Sequence, residues 1–179
     1  MPWRNGGGTT TEIAIAPEGA ALSGERFLYR VSIADVSTDG PFSLFPGYDR
    51  HIMLLAGAGM TLDCGAEGRL DLRLFEPRSF SGDRDVLGTL VAGPVRDFNL
   101  MVDRARATST LAAESIEAPR WVACEPGHVC IMHVIEGALD GADQGDTLVA
   151  EAPFELVPRG TVRLAIARVA PLLERATAR

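Results

Sequence analysis

From residue 10 to residue 169 the chain breaks into short runs of alternating apolar and polar residues, set roughly ten residues apart by turns of Gly, Pro, Asp and Ser. That rhythm constrains the fold more than anything else in the sequence. Alternation with period two sends successive side chains to opposite faces of a strand. The runs at 10–16, 27–34, 50–55, 60–64, 70–75 and 87–92 all read as strands, as do 105–112, 120–123, 129–136, 146–149, 154–157 and 162–169. Residues 39–49 read as a packed loop with two prolines and three aromatics, and 77–85 as a turn. Only 171–178 has helical spacing. Many short strands without a long amphipathic helix predict an all-β barrel or sandwich.

A coarse internal echo divides the chain. RHIMLLAGAG and CIMHVIEGAL are each a bulky apolar strand ending in Gly, and each is followed by a Pro/Gly turn and another apolar strand. The expected units are 1–104 and 105–179. At 179 residues two such units can share one core.

Composition narrows the function classes. A net charge of −7 and a pI near 4.9 argue against nucleic acid and against an anionic membrane surface as partners. All 17 basic residues are Arg, which excludes Schiff-base and lysine general-base chemistry. No apolar run nears the ~20 residues of a spanning helix, and the first residues lack the apolar segment of a signal peptide. Cys64, Cys124 and Cys130 fit no zinc spacing and read as free thiols, so a cytoplasmic protein is expected.

The chemistry-bearing residues sit on strands. In GPVRDFNLMV, residues 93–102, Phe98, Leu100 and Val102 share one face, while Asp97, Asn99 and Met101 share the other. At 10–16, Thr11, Ile13 and Ile15 oppose Thr10, Glu12 and Ala14. At 27–34, Arg30 and Ser32 oppose an apolar face, and Arg50 opens the next strand. In a barrel, polar faces of neighbouring strands turned inward would line a lumen site; turned outward they are solvated surface. Arg would grip a carboxylate in bidentate fashion while Asn and Ser orient the rest. No metal or other cofactor is expected. His133 lacks a second His two residues on, Arg163 stands where a last His would fall, and His51 is isolated. The Gly-rich run before residue 9 has no Lys after it and is no P-loop.

The blocks PWRNGGGTTTEIA, YRVSIADV, DGPFSLFPGYDR and GPVRDFNLMV, which cover most of residues 2–102, resemble the HutD/Ves family. That resemblance implies a bicupin, two cupin-like double-stranded β-helix barrels in one compact chain, without the usual metal triad. It also implies a non-enzymatic protein that modulates histidine catabolism by binding a small carboxylate intermediate of the urocanate or formyl-glutamate type. Carried over block by block, its ligand-binding candidates are Trp3, Arg4, Asn5, Glu12, Arg30, Ser32, Arg50, Asp97, Asn99 and Met101. Arg4 departs from the Lys usual in the first block. The alternative is a metal-free cupin enzyme with Glu12 or Asp97 as general base. The resemblance leaves a homodimer open.

Overall fold

The structure is a computed structural model that describes residues 1–3, 6–20 and 25–172. The first part of the chain forms β1 (Gly8–Ala16), β2 (Tyr29–Val36), β3 (Gly40–Phe42), β4 (Tyr48–Ala56) and β5 (Met60–Asp63). It continues through β6 (Arg69–Leu72), β7 (Arg78–Ser81), β8 (Val86–Leu90) and β9 (Val95–Asp103). The second part forms β10 (Ala107–Ile116), β11 (Arg120–Val122), β12 (Val129–Glu136), β13 (Thr147–Ala150), β14 (Phe154–Leu156) and β15 (Val162–Pro171). Apart from a 3-10 turn at Gly65–Glu67, no helix occurs among the described residues. None there is long and apolar enough to cross a membrane. The helical spacing read at 171–178 begins on Pro171, which ends β15; residues 173–178 lie outside the described residues.

Four sheets stack in layers. A five-stranded sheet, β1-β2-β9-β4-β7, lies against the sheet β3-β8-β5-β6. Ala34, Ile52 and Leu54 of the first meet Met60, Leu62 and Val86 of the second. In the second part of the chain, β10-β15-β12-β13 lies against β11-β14. Met132, Leu164 and Ile166 pack there on Val122 and Leu156. The two larger sheets then press their remaining faces together, Val31, Phe98, Leu100 and Val102 against Ala107, Ile131, Ala165, Ala167 and Val169. The fold is all-β, as the rhythm of the sequence predicts, and forms two β-sandwiches packed back to back.

The internal echo has a structural counterpart. β4 and β12 each carry a bulge against their central neighbour, at Leu54/Ala56 opposite β9 and at Val134/Glu136 opposite β15. Each then ends in a glycine with positive φ, 103° at Gly57 and 83° at Gly137. A Cβ on these glycines would lie 2.7 Å from the Pro94 carbonyl oxygen and 2.6 Å from that of Thr161. Any other residue would push the bulge away from the adjoining turn.

Four local expectations need correction. Residues 39–49 are not all loop, because Gly40–Phe42 forms a short edge strand on β8. The segment 77–85 is not all turn, because Arg78–Ser81 forms an edge strand on β4. Its Ser, Gly and Asp content conceals a ladder that only the tertiary partner supplies. The strand expected at 70–75 stops at Leu72; Phe75 has φ 62° and donates its N–H to the Leu54 carbonyl at 3.0 Å. A bulge between Glu12 and Ala14 breaks the alternation of β1. Ile15 is thereby set opposite Arg30, on the face of Thr10 and Glu12, where it packs near Phe27, Tyr48 and Met101.

The contact between the larger sheets generates a stability prediction. Phe98 is fully buried there and stacks at 6.0 Å on the His133 ring. Phe98→Ala should cost about 3–5 kcal/mol in denaturant unfolding. Trp121→Ala, at a side chain 68% exposed, should change stability by less than about 0.5 kcal/mol.

Candidate functional site

The inner face of the five-stranded sheet is set by register. Arg30 lies opposite Met101, and Met101 opposite Arg50. One step along, Ser32 lies opposite Asn99 and Asn99 opposite Ile52; the next row is Ala34, Asp97 and Leu54. The middle strand thus carries Asp97, Asn99 and Met101 in a column with an arginine on either side of its Met end. This face, the loop after β3 and residues 1–3 border an open-sided cavity of about 650 Å³. Its lining includes Trp3, Thr10, Arg30, Ser32, Phe42, Ser43, Phe45, Arg50, Asp97, Asn99 and Met101.

Of the residues singled out from sequence, Trp3, Arg30, Ser32, Arg50, Asp97, Asn99 and Met101 line this space. Trp3 donates its indole N–H to Thr10 Oγ1 at 2.7 Å, tying the first residues to β1. Glu12 is not part of the lining. It accepts from Arg30 Nε at 2.8 Å and orients that guanidinium. Arg4 and Asn5 lie outside the described residues. No sequence pattern singles out Ser43, Phe42 and Phe45, although the aromatic-rich segment that carries them is one expected to pack.

The electrostatics of the inner face are unusual. Arg50 is held among three rings, its guanidinium carbon 4.9 Å from the centroid of Phe80, 5.3 Å from Phe42 and 5.6 Å from Phe45. Its Nη1 donates to the Ser43 carbonyl at 3.1 Å, while its buried Nε has no hydrogen-bond partner among the described residues. Burial pulls this guanidinium down to about 10, against the opposing attraction of Asp97 and with help from Arg30. Asp97 is 1% exposed, and neither of its carboxyl oxygens accepts a hydrogen bond from the described residues. Burial pushes its carboxyl up to about 7, Arg50 opposing and Asp35 adding to the effect. Asn99 Oδ1 is likewise buried and without a partner there. Buried polar atoms are paired in the great majority of cases, so this concentration at one cavity is informative.

The second sandwich repeats the scaffold without the buried acid, amide and guanidinium of Asp97, Asn99 and Arg50. Counting from the two bulges, Asp97 corresponds to Leu164, Asn99 to Ile166, Ile52 to Met132 and Arg50 to Cys130. These four replacements are buried together in an apolar core. His133 points the other way, toward Phe98 and the first sandwich, with Nδ1 3.0 Å from Thr147 Oγ1. His51 lies between Ser79 and Ser109, at 2.7 and 2.9 Å. Among the described residues no three His, Cys, Asp or Glu side chains converge as a metal ion would require.

The comparisons with known proteins agree with this architecture. A family model described as HutD matches residues 1–172. A curated Pseudomonas putida protein, described as an uncharacterized 21.2 kDa protein in the hutC 3' region, is 45% identical over 101 residues. That match covers 56% of this chain, which spans about half (52%) of the relative's length. A conserved protein of unknown function from Pseudomonas aeruginosa is 30% identical with a TM-score of 0.81, over 96% of this chain and 93% of the other. HutD from Pseudomonas fluorescens, solved in a formate condition, is 31% identical with a TM-score of 0.76 over the same shares. A cupin barrel-domain protein from Leptotrichia buccalis is 10% identical with a TM-score of 0.56, over 92% and 89% of the two chains, and shares the fold alone. The two sandwiches are therefore cupin-like, and the chain carries two of them.

Asp97 gives the site a signature in pH. Its carboxyl stands near 7 in the folded protein against 3.8 ordinarily, so between those values the folded state holds a proton that the unfolded state has lost. Stability must fall as pH rises through that window. Below about 4 both states are protonated and there is no penalty. Above about 7 the full penalty stands, on the order of 4 kcal/mol. Asp97→Asn should match the parent near pH 4 and exceed it in melting temperature at pH 8. Parallel melting curves across that range would contradict the assignment.

Proposed function

The chain belongs to the HutD family, and on that footing we propose that it binds a small carboxylate ligand and thereby modulates histidine catabolism. The observation that carries this reading is the cluster of Arg50, Asp97 and Asn99, buried with unpaired polar atoms around a cavity of about 650 Å³. A volume of that order suits a metabolite-sized ligand. The row Arg30–Met101–Arg50 holds two guanidinium groups about 10 Å apart at the backbone, with an apolar side chain between them. Such a row grips a carboxylate from either flank. Arg30 is steadied for this by Glu12, and Arg50 by Ser43 and its three rings. Ser32 and Asn99 stand in the adjacent row to orient the remainder of the ligand. Trp3 and Met101 offer apolar cover. The hutC neighbourhood of the curated relative supports intermediates of histidine breakdown as the ligands, of the urocanate or formyl-glutamate type.

A second reading, acid–base catalysis without a metal, rests on Asp97. A buried carboxyl whose proton leaves near neutrality is matched to general-base work. Glu12 does not share that role, because it is engaged with Arg30 outside the cavity lining.

Urocanate or formyl-glutamate at a hundredfold excess over Kd should stabilise the fold by about 2.7 kcal/mol. Arg50→Gln should weaken that binding by about ten- to a hundredfold, the worth of a hydrogen bond to a charged group. Melting curves unmoved by any histidine-degradation intermediate would sink the binder reading. Turnover of one of them, abolished by Asp97→Asn, would establish the catalytic reading in its place.

A further inference from the structure

The buried hydrogen-bonding atoms of the cavity are unequal in kind and unequally placed. At the Met101 row stand two cations: Arg30, whose Nε is committed to Glu12, and Arg50, whose Nε is unpaired among the described residues. One and two rows further along β9 the unpaired atoms are acceptors, Asn99 Oδ1 and both oxygens of Asp97. Asn99 can turn its amide end for end and suit a ligand donor or acceptor. Asp97 changes role with its proton: neutral, it donates one O–H and accepts at its other oxygen; ionised, it only accepts. Both Asp97 and Asn99 line the cavity, and they are 1% and 5% exposed. With Asp97 ionised, a carboxylate-only ligand would pair the guanidinium row and leave the Asp97 end unmet, or set like charges against each other there.

We propose that Asp97 is a specificity residue that accepts a hydrogen bond from an N–H of the ligand, so that the site selects small acids carrying a carboxylate at one end and an amide, imidazole or amine N–H at the other. This rests on the carboxylate-binding reading above and deepens it. The two ligand functions fall on different rows. Asp97 lies two rows from the Met101 row, about 14 Å along the backbone, and the long Arg50 side chain reaches back over part of that distance, near enough to Asp97 for each to affect the other's ionisation. A site built around a buried acceptor rejects a ligand without the matching donor, because the acceptor is then desolvated and unpaired. Asp97 would thus distinguish an N-acylated amino acid or imidazole acid from a plain dicarboxylate of the same length.

Two matched pairs test this by calorimetric titration of the full chain at pH 8, where Asp97 is ionised: imidazolyl-acrylate against furyl-acrylate, and 4-acetamidobutanoate against 4-acetoxybutanoate, in which an oxygen replaces the N–H. The expected result for the parent protein is a preference of at least about tenfold for the N–H member of one or both pairs. Asp97→Leu, close in size and without polar atoms, should abolish that preference while keeping the dependence on Arg50. The substitution removes a buried unpaired acid, so the variant should melt no lower than the parent at pH 8. If it fails to fold, Asp97→Asn serves, and its preference should shrink because the neutral amide accepts more weakly. Equal binding of both members by the parent, or a preference unchanged by either substitution, would overturn the proposal and leave carboxylate binding intact. Absence of binding by all four acids, with Arg50→Gln indistinguishable from the parent, would remove both readings together.

Discussion

Burial of both faces of β9 is the constraint from which the rest of the structure follows. On one face Phe98, Leu100 and Val102 are sealed between the two larger sheets, each without measurable exposure. Because side chains alternate strictly along a strand, fixing those three fixes Asp97, Asn99 and Met101 on the opposite face. A slip of one residue would bury an acid and an amide in the contact between sandwiches and expel a phenyl ring into the cavity. The apolar contact thus sets the register of the polar site, although no atom of that contact touches the cavity. Ser32 and Arg30 are then placed by the ladder to β2, and Arg50 by the ladder to β4.

The same strand order explains why the site is electrostatically tense. Arg50 and Asp97 are near enough for each to affect the other's ionisation, yet no hydrogen bond joins them. Phe42, Phe45 and Phe80 surround the guanidinium and supply face-on attraction to its charge, but rings cannot accept the directional bond that Nε offers. A carboxylate nearer the surface shows what a settled arrangement looks like. Asp103, covered by its partners, accepts from Arg26, from Arg106 and from the backbone N–H of Ala105, and its carboxyl is held below its ordinary value. Asp97 lies deeper and has no such donors among the described residues. Folds hold groups in that condition where something else is served, since replacing them with apolar side chains would be more stable.

Much of this was legible in the sequence, and the limits have physical causes. Alternation gave the faces of β2 and β9 correctly, because long central strands obey period two without interruption. It failed on β1, where the bulge after Glu12 reverses the remaining side chains, and a bulge leaves no mark in composition. Phe80 was hidden because its strand is four residues long, on a sheet edge, and written in turn residues. Ser43 contributes through its carbonyl, which every residue possesses, so side-chain reasoning could not find it. The grouping of Arg50 with Asp97 and Asn99 depends on β4 lying beside β9, a pairing of segments some fifty residues apart, and long-range order of that kind is the part of a fold that local patterns specify least.

The second sandwich supplies an internal control for the meaning of the first. Both share the central-strand bulge, the glycine that closes it and the sheet order around it. At the corresponding positions the second carries Leu164, Ile166 and Cys130, and those side chains fill its interior. The scaffold therefore does not require an acid, an amide or a guanidinium at these places, and it closes well without them. Their presence in the first sandwich cannot be ascribed to the demands of the fold. Its polar interior is an addition to a scaffold stabilised elsewhere, chiefly by the apolar contact between sandwiches and by the filled second core. That division lets one half tolerate a destabilising acid at its centre.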